Sequence, residues 1–235
     1  MRVRTDRKRD EILQIARAAF LQHGYAATSM AAIAAAVGGS KSTLYGYFPT
    51  KEALFGAVVH SVGEKHVVPV LSILDGKGSP REILGELARA VIRFLLLPEA
   101  VASYRMVIAE AGRFPELGRT FFAHGPQRGL GRIAAWIQAQ IEAGRLHPAD
   151  PAWLAQQFGA MCEAGPCKAT LCGVTRRVSA REQAALANFV VETFLRAHAT
   201  PEGDAVFGRE RPAAPDAGGG AGQGKATARG AARAI

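Results

Sequence analysis

The stretch Thr28–Lys51, TSMAAIAAAVGGSKSTLYGYFPTK, decides how this chain folds. Met30, Ile33, Ala34 and Val37 recur with the spacing of one buried helical face. Thr28 precedes that run and can cap it with its hydroxyl. Gly38-Gly39 then breaks the pattern, because glycine turns the chain through positive φ without steric cost. Ser40 is placed to cap a second short helix over Lys41–Phe48, anchored by Leu44 and Phe48. Pro49 ends it, since proline lacks an N–H and disfavours helical geometry in the residue before it. Two short helices around a glycine turn make a helix-turn-helix.

Anchoring through Leu44 and Phe48 leaves Lys41, Ser42, Thr43, Tyr45, Gly46 and Tyr47 outside the core. They combine a cation, hydroxyls and aromatic rings, the groups that meet phosphates and base edges in a major groove. The spacing alone also fits a tight helical corner in any all-α protein.

The residues themselves go further. Ser40-Lys41-Ser42-Thr43-Leu44-Tyr45-Gly46-Tyr47-Phe48, followed by Thr50-Lys51-Glu52-Ala53-Leu54, resembles the signature of the TetR family of bacterial transcriptional regulators. Upstream the similarity takes in Ile12, Ala16, Phe20, Gly24, Thr28, Ile33, Ala34 and Gly38. The resemblance implies an all-α fold of about nine helices, with an N-terminal three-helix DNA-binding domain and an α-helical effector-binding and dimerisation domain. It implies that Lys41, Ser42, Thr43, Gly46 and Tyr47 face base edges or adjacent phosphates, and that Thr28, Tyr45 and Lys51 position the DNA backbone. It also implies a homodimer on a near-palindromic operator in double-stranded DNA, most often as a repressor, released by a small effector. One departure is Gly39, where the family usually places an apolar residue before the serine.

Around this head the chain divides into 1–50, 51–199 and 200–235. A basic arm of Arg2, Arg4, Arg7, Lys8 and Arg9 precedes a first helix from about Asp6 to His23, with Ile12, Ile15, Ala16, Ala19 and Phe20 inward. Thr50 caps a long helix running towards Leu74, which Pro69 should kink. Ser79-Pro80-Arg81-Glu82 and Ser179-Ala180-Arg181-Glu182 are capping boxes. Breaks are expected at Pro98, Gly125-Pro126 and Gly165-Pro166, and Asp150 should cap a further helix. Val107–Phe122 resembles an effector-domain motif of one TetR subgroup.

Pocket candidates are Leu87, Val91, Phe94, Tyr104, Ile108, Phe121, Trp136, Phe158, Met161 and Cys162, with Arg105 or Glu110 as polar anchor; few charges fall among them, so a lipophilic effector is expected. The stripe Leu186, Phe189, Val190, Thr193 and Phe194 is the dimer-interface candidate, by resemblance to the family's closing helix pair. After Thr200 the Ala/Gly/Pro-rich composition predicts disorder.

Composition bounds the rest. The formal net charge is +9, and residues 1–50 hold seven Lys or Arg against three Asp or Glu, a footprint suited to DNA. No apolar run approaches membrane-spanning length and no secretory signal precedes the arm, so a cytoplasmic protein without membrane contact is expected. Cys162, Cys167 and Cys172 are spaced for neither zinc nor a disulfide framework and are expected as buried thiols. His60, Glu64 and His66 do not share a helical face. No metal, cofactor or enzymatic constellation is expected. A redox-responsive regulator acting through the three cysteines and a non-specific architectural DNA binder are the alternatives.

Overall fold

The computed structural model describes residues 2–38, 40–174 and 177–208, with side chains from Asp6 onward. Among the described residues the regular structure is helical, apart from a single bridge between Leu146 and Ala199. The head consists of α1 (Arg2–His23), α2 (Met30–Val37) and α3 (Lys41–Tyr47), followed by α4 (Lys51–Val62). The rest comprises α5 (Val68–Leu71), α6 (Pro80–Leu95), α7 (Pro98–Glu110), α8 (Pro115–His124), α9 (Pro126–Glu142), α10 (Pro151–Glu163), α11 (Pro166–Leu171), α12 (Ala180–His198) and α13 (Pro201–Val206).

Local chemistry sets most of these ends. Ser79 and Ser179 each accept from the backbone N–H three residues on, while Glu82 and Glu182 accept from the serine backbones, so both capping boxes are closed. Asp150 and Thr50 cap α10 and α4 through their side chains. The proline breaks fall where expected: α6 gives way to α7 at Pro98, α8 to α9 at Pro126 and α10 to α11 at Pro166. The first helix starts earlier than expected, at Arg2, so the basic arm is an extension of α1; the side chains of Arg2 and Arg4 lie outside the described residues, as does Gly39.

Two cores result. The first joins Ile12, Phe20, Tyr25, Ile33, Val37, Leu44 and Phe48 with Leu54, Phe55 and Val58 of α4, and takes in Val107 and Leu117. Packing therefore runs past residue 50, because α4 closes the floor of the three-helix head. The second core joins α6, α9, α10 and α12 around Leu84, Leu87, Ile92, Ile137, Phe158, Val190 and Phe194.

Between the cores, the polypeptide from Lys51 to Asp75 stays helical but changes its winding. Gly63–Val67 forms a π turn and Ser72–Asp75 a 3₁₀ turn. Pro69 has no N–H for the carbonyl four residues back, and the ladder widens just before it, with the Val68 N–H bonding to the Gly63 carbonyl. By length and composition this 25-residue stretch could cross a membrane, its most apolar 18 residues having a mean hydropathy of 1.2, but Glu64-Lys65 divides it, so it is no uninterrupted apolar run. Two of its acidic residues pair with α9: Glu64 with Arg128 at 2.6 Å and Asp75 with Arg132 at 2.8 Å.

The boundary at 200 is also corrected. Thr200 caps α13 with Pro201 in its first turn, and Phe207 is buried in the second core. The hydroxyl of Thr200 donates to the Gly144 carbonyl at 2.7 Å, and a Cβ on Gly203 would collide with the Arg145 carbonyl. The Thr-Pro pair was the available signal, masked by the composition that follows it. Residues 209–235, including Lys225, Arg229 and Arg233, lie outside the described residues. Phe207→Ala is expected to destabilise the fold by ~3 kcal/mol, read as a lowered urea midpoint. Gly203→Ala should lower it as well, whereas an unchanged midpoint in both would show that α13 is not docked.

Candidate nucleic-acid interface

α3 is held by few contacts and leaves most of its surface open. Leu44 is its buried residue, and Phe48 beyond its end completes the anchor. Ser40 accepts from the Thr43 N–H at 3.1 Å, and its Oγ lies 2.7 Å from Ser42 Oγ and 2.9 Å from Thr43 Oγ1. Three hydroxyls thus cluster over the first turn, where unpaired backbone N–H groups favour negative charge. Lys41, Ser42, Thr43, Tyr45 and Gly46 are exposed, and Tyr47 is half-buried beside Phe48. From α1, Lys8 donates to the Val37 carbonyl at 3.3 Å and pairs with Glu11, while Arg9 lies over the Phe48 ring. Two of the arm cations therefore brace the end of α2 and the α3 anchor.

Thr28 and Lys51 occupy other positions than expected. Ser29, not Thr28, caps α2, accepting from the Ala32 N–H. Thr28 is 3% exposed and its hydroxyl points inward, donating to the Gly24 carbonyl at 2.7 Å and tying the end of α1. The ammonium of Lys51 donates to the Tyr25 carbonyl at 2.9 Å and sits 4.3 Å from the Tyr25 ring centroid. Tyr25 in turn donates to Glu52 at 3.1 Å, and burial followed by the nearby Glu52 carboxylate pushes its phenol well above the usual range. Bonds from its own backbone N–H and from Thr50 hold the Glu52 carboxyl below its ordinary value, Tyr25 adding to them.

The head is riveted to α7 and α8. Glu110 accepts the Ala26 N–H at 3.1 Å, Phe114 meets the Tyr25 ring edge-on, and Arg17 of α1 pairs with Glu99. Glu110 is thus occupied at the joint, and Arg105 donates to the carbonyls of Thr170 and Leu171, so neither anchor candidate faces a cavity.

A cavity of about 350 Å³ lies between the two cores. Its walls include Phe20, Phe55 and Val58 from the head side and Leu71 and Ile133 from the other. Of the pocket candidates, Val91, Phe94, Tyr104 and Phe121 line it. Leu87, Phe158 and Cys162 do not: they are fully buried in the second core. Trp136 and Met161 pack against that core from outside, and Ile108 faces away, 67% exposed. The lining that periodicity could not reveal comes from α4 and the π turn, Val59, Val62, Gly63 and Val67, and from Arg17 and Glu163.

The candidate dimer stripe lies only partly on the surface. Val190 and Phe194 are buried within the single chain, and Leu186 and Thr193 are half-buried. Phe189 is 64% exposed, on a face with Ala185 and Asn188, and α10 exposes Trp153 at 68% with Gln156, Gln157 and Ala160. Cys162 and Cys167 are buried, and burial pushes their thiols up to about 12 and about 11, values that keep them protonated; Cys172 is exposed. His60 faces the His124 ring, and His66 lies 4.0 Å from Glu99; among the described residues no three potential metal ligands gather.

Residues 12–58 match the profile described as bacterial regulatory proteins, tetR family, and residues 82–200 match that of the AefR-like transcriptional repressor, C-terminal domain. Curated protein sequences give no match. Among solved structures, a TetR-family transcriptional regulator from Mesorhizobium loti is 34% identical, covering 84% of this chain and 99% of its own, with a TM-score of 0.75. The flavonoid-responsive regulator FrrA is 31% identical, over 83% of this chain and 99% of its own, with a TM-score of 0.69. A TetR family regulator from Pseudomonas syringae pv. tomato is 28% identical, over 83% and 99%, with a TM-score of 0.64. With the head on one profile, more than half the chain on the other and the same overall fold, the chain belongs to the TetR family of bacterial transcriptional regulators.

Proposed function

We propose that this regulator is a homodimeric repressor whose grip on its operator is released by a small molecule in the cavity between the cores. The observation that carries the reading is the cavity wall itself. Phe20, Phe55 and Val58 belong at once to the core of the DNA-binding head and to the cavity. A molecule seated there touches the helices that carry α3, without an intermediary. It acts by favouring one spacing of the two heads over another, by as much as its affinities for the two arrangements differ.

In this reading α3 enters the major groove, with Thr43 and Tyr47 reading base edges and Lys41, Ser42, Tyr45 and Gly46 meeting phosphates or bases at close range. Thr28 takes no direct part. Lys51 serves first as a clamp on Tyr25, and its phosphate contact requires that clamp to loosen. Two heads then address half-sites ~34–36 Å apart or a multiple of that. The exposed faces of α10 and α12, with Trp153 and Phe189, supply the two-fold contact. The name of the relative FrrA, which states a response to flavonoids, supports a small organic effector. A footprint of the chain's own upstream region tests the proposal; a protein that stays monomeric and leaves that region unprotected at low salt overturns it.

Thr43→Ala or Tyr47→Ala is expected to weaken operator binding ~10-fold or more while leaving affinity for random duplex nearly unchanged. Lys41→Ala should weaken both and reduce the salt slope by about one. Competition titrations at matched salt separate these outcomes. Phe189→Asp or Trp153→Asp should convert the dimer to monomer in sedimentation, with helical content unchanged and operator affinity lost.

A further inference from the structure

The cavity has two polar points in an otherwise apolar wall, and both are incompletely used. At one, Arg17 pairs with Glu99, yet its Nε is buried without a hydrogen-bond partner. At the other, Glu163 and Tyr104 line the same space, and neither side chain hydrogen-bonds to a described residue. The walls between them are rich in aromatic rings, including Phe94 and a Tyr104–Phe121 pair held edge-to-face at 5.2 Å. A buried donor left unpaired, as Arg17 Nε is, is costly unless something else satisfies it.

We propose that the cavity takes an uncharged, hydroxylated aromatic molecule, which donates a hydroxyl hydrogen to Glu163 beside Tyr104 and presents an oxygen towards Arg17. The proposal rests on the reading of this cavity as the effector site and adds the chemistry of the ligand. Charge decides between ligand classes. A ligand carboxylate at Arg17 would face Glu99, which already answers the guanidinium. A ligand ammonium at Glu163 would face Lys168, which already stabilises that carboxylate. A neutral hydroxyl or carbonyl meets neither repulsion. Burial raises the Glu163 carboxyl above its ordinary value against the pull of Lys168, so a hydroxyl, able to donate or accept, suits either protonation state. The rings of the wall accept an aromatic body edge-on or offset, and the volume lies within the ~300–1,000 Å³ of small-molecule sites.

The test is calorimetric titration of the full-length protein with four matched probes: para,para′-dihydroxybiphenyl, unsubstituted biphenyl, biphenyl para-carboxylate and para-aminomethylbiphenyl. The dihydroxy probe is expected to bind about tenfold or more tightly than the other three. Glu163→Leu should remove that advantage, so that the dihydroxy probe binds no more tightly than biphenyl. Tyr104→Phe, which keeps the ring, should reduce the advantage severalfold and serves where the first variant folds poorly. Tightest binding by the carboxylate or the amine, equal binding of all four, or no binding of the dihydroxy probe overturns the proposal. Anisotropy on the footprinted duplex, recorded in parallel, separates the two readings. Binding of the dihydroxy probe without DNA release sinks the effector reading and leaves the site chemistry, whereas release by the carboxylate sinks the chemistry and leaves the effector reading.

Discussion

Phe55 is the residue on which the two halves depend. Its ring stands edge-on to Phe20 at 5.7 Å and to Tyr25 at 5.5 Å, inside the core of the head, while it also forms part of the cavity wall. A protein interior packs at crystal-like density, so a side chain shared by two compartments transmits a shift in one to the other. The surrounding joint is polar and directional. Lys51, Tyr25, Glu52 and Glu110 fix the corner between α1, α2 and α4 through bonds that tolerate little sliding. The head is therefore not a bead on a flexible tether; it is docked on α4, α7 and α8.

Much of this was legible in the sequence, for local reasons. The helix-turn-helix, both capping boxes and the proline breaks depend on residues within a few positions of one another, and periodicity or capping chemistry exposes them directly. Thr28 shows where that logic stops. Two adjacent hydroxyls, Thr28 and Ser29, were each able to cap α2, and the tertiary fold chose Ser29 because Thr28 sits under the Gly24 carbonyl. The α12 stripe fails similarly. A helix with one apolar face buries it against its own chain first, so Val190 and Phe194 went to the core and the face carrying Phe189 was left outside. Of the pocket candidates, Val91, Phe94, Tyr104 and Phe121 line the cavity, whereas Leu87, Phe158 and Cys162 fill the core behind it. Periodicity marks an inward face without saying whether that face meets a neighbour or a void.

The recognition surface is economical in the same physical sense. A seven-residue helix with one buried leucine has little packing to hold it, so its geometry is fixed at its ends: the Ser40 cap before it and Phe48 after it, with Arg9 over the Phe48 ring and Lys8 on the end of α2. The first helix thus contributes charge to the rigidity of the corner. The basic excess of the N-terminal region acts within the protein as well as on its long-range field.

The π turn at Gly63–Val67 gives the connection between the halves a built-in phase. An α-helix advances 100° per residue, and a π turn holds one residue more than the α turn it replaces. The side chains of α4 and those beyond the turn are consequently offset from a continuous helix, which lets Phe55 and Val58 serve the head while Leu71 and Leu74 serve the second core. Deletion of one residue in that turn would leave an ordinary α turn over about the same arc, whereas deletion of one residue in the regular ladder of α4 would swing the operator-reading end about the helix axis by roughly a quarter-revolution. The azimuth of the head is thus encoded as a count of residues, independent of which side chains occupy the turn.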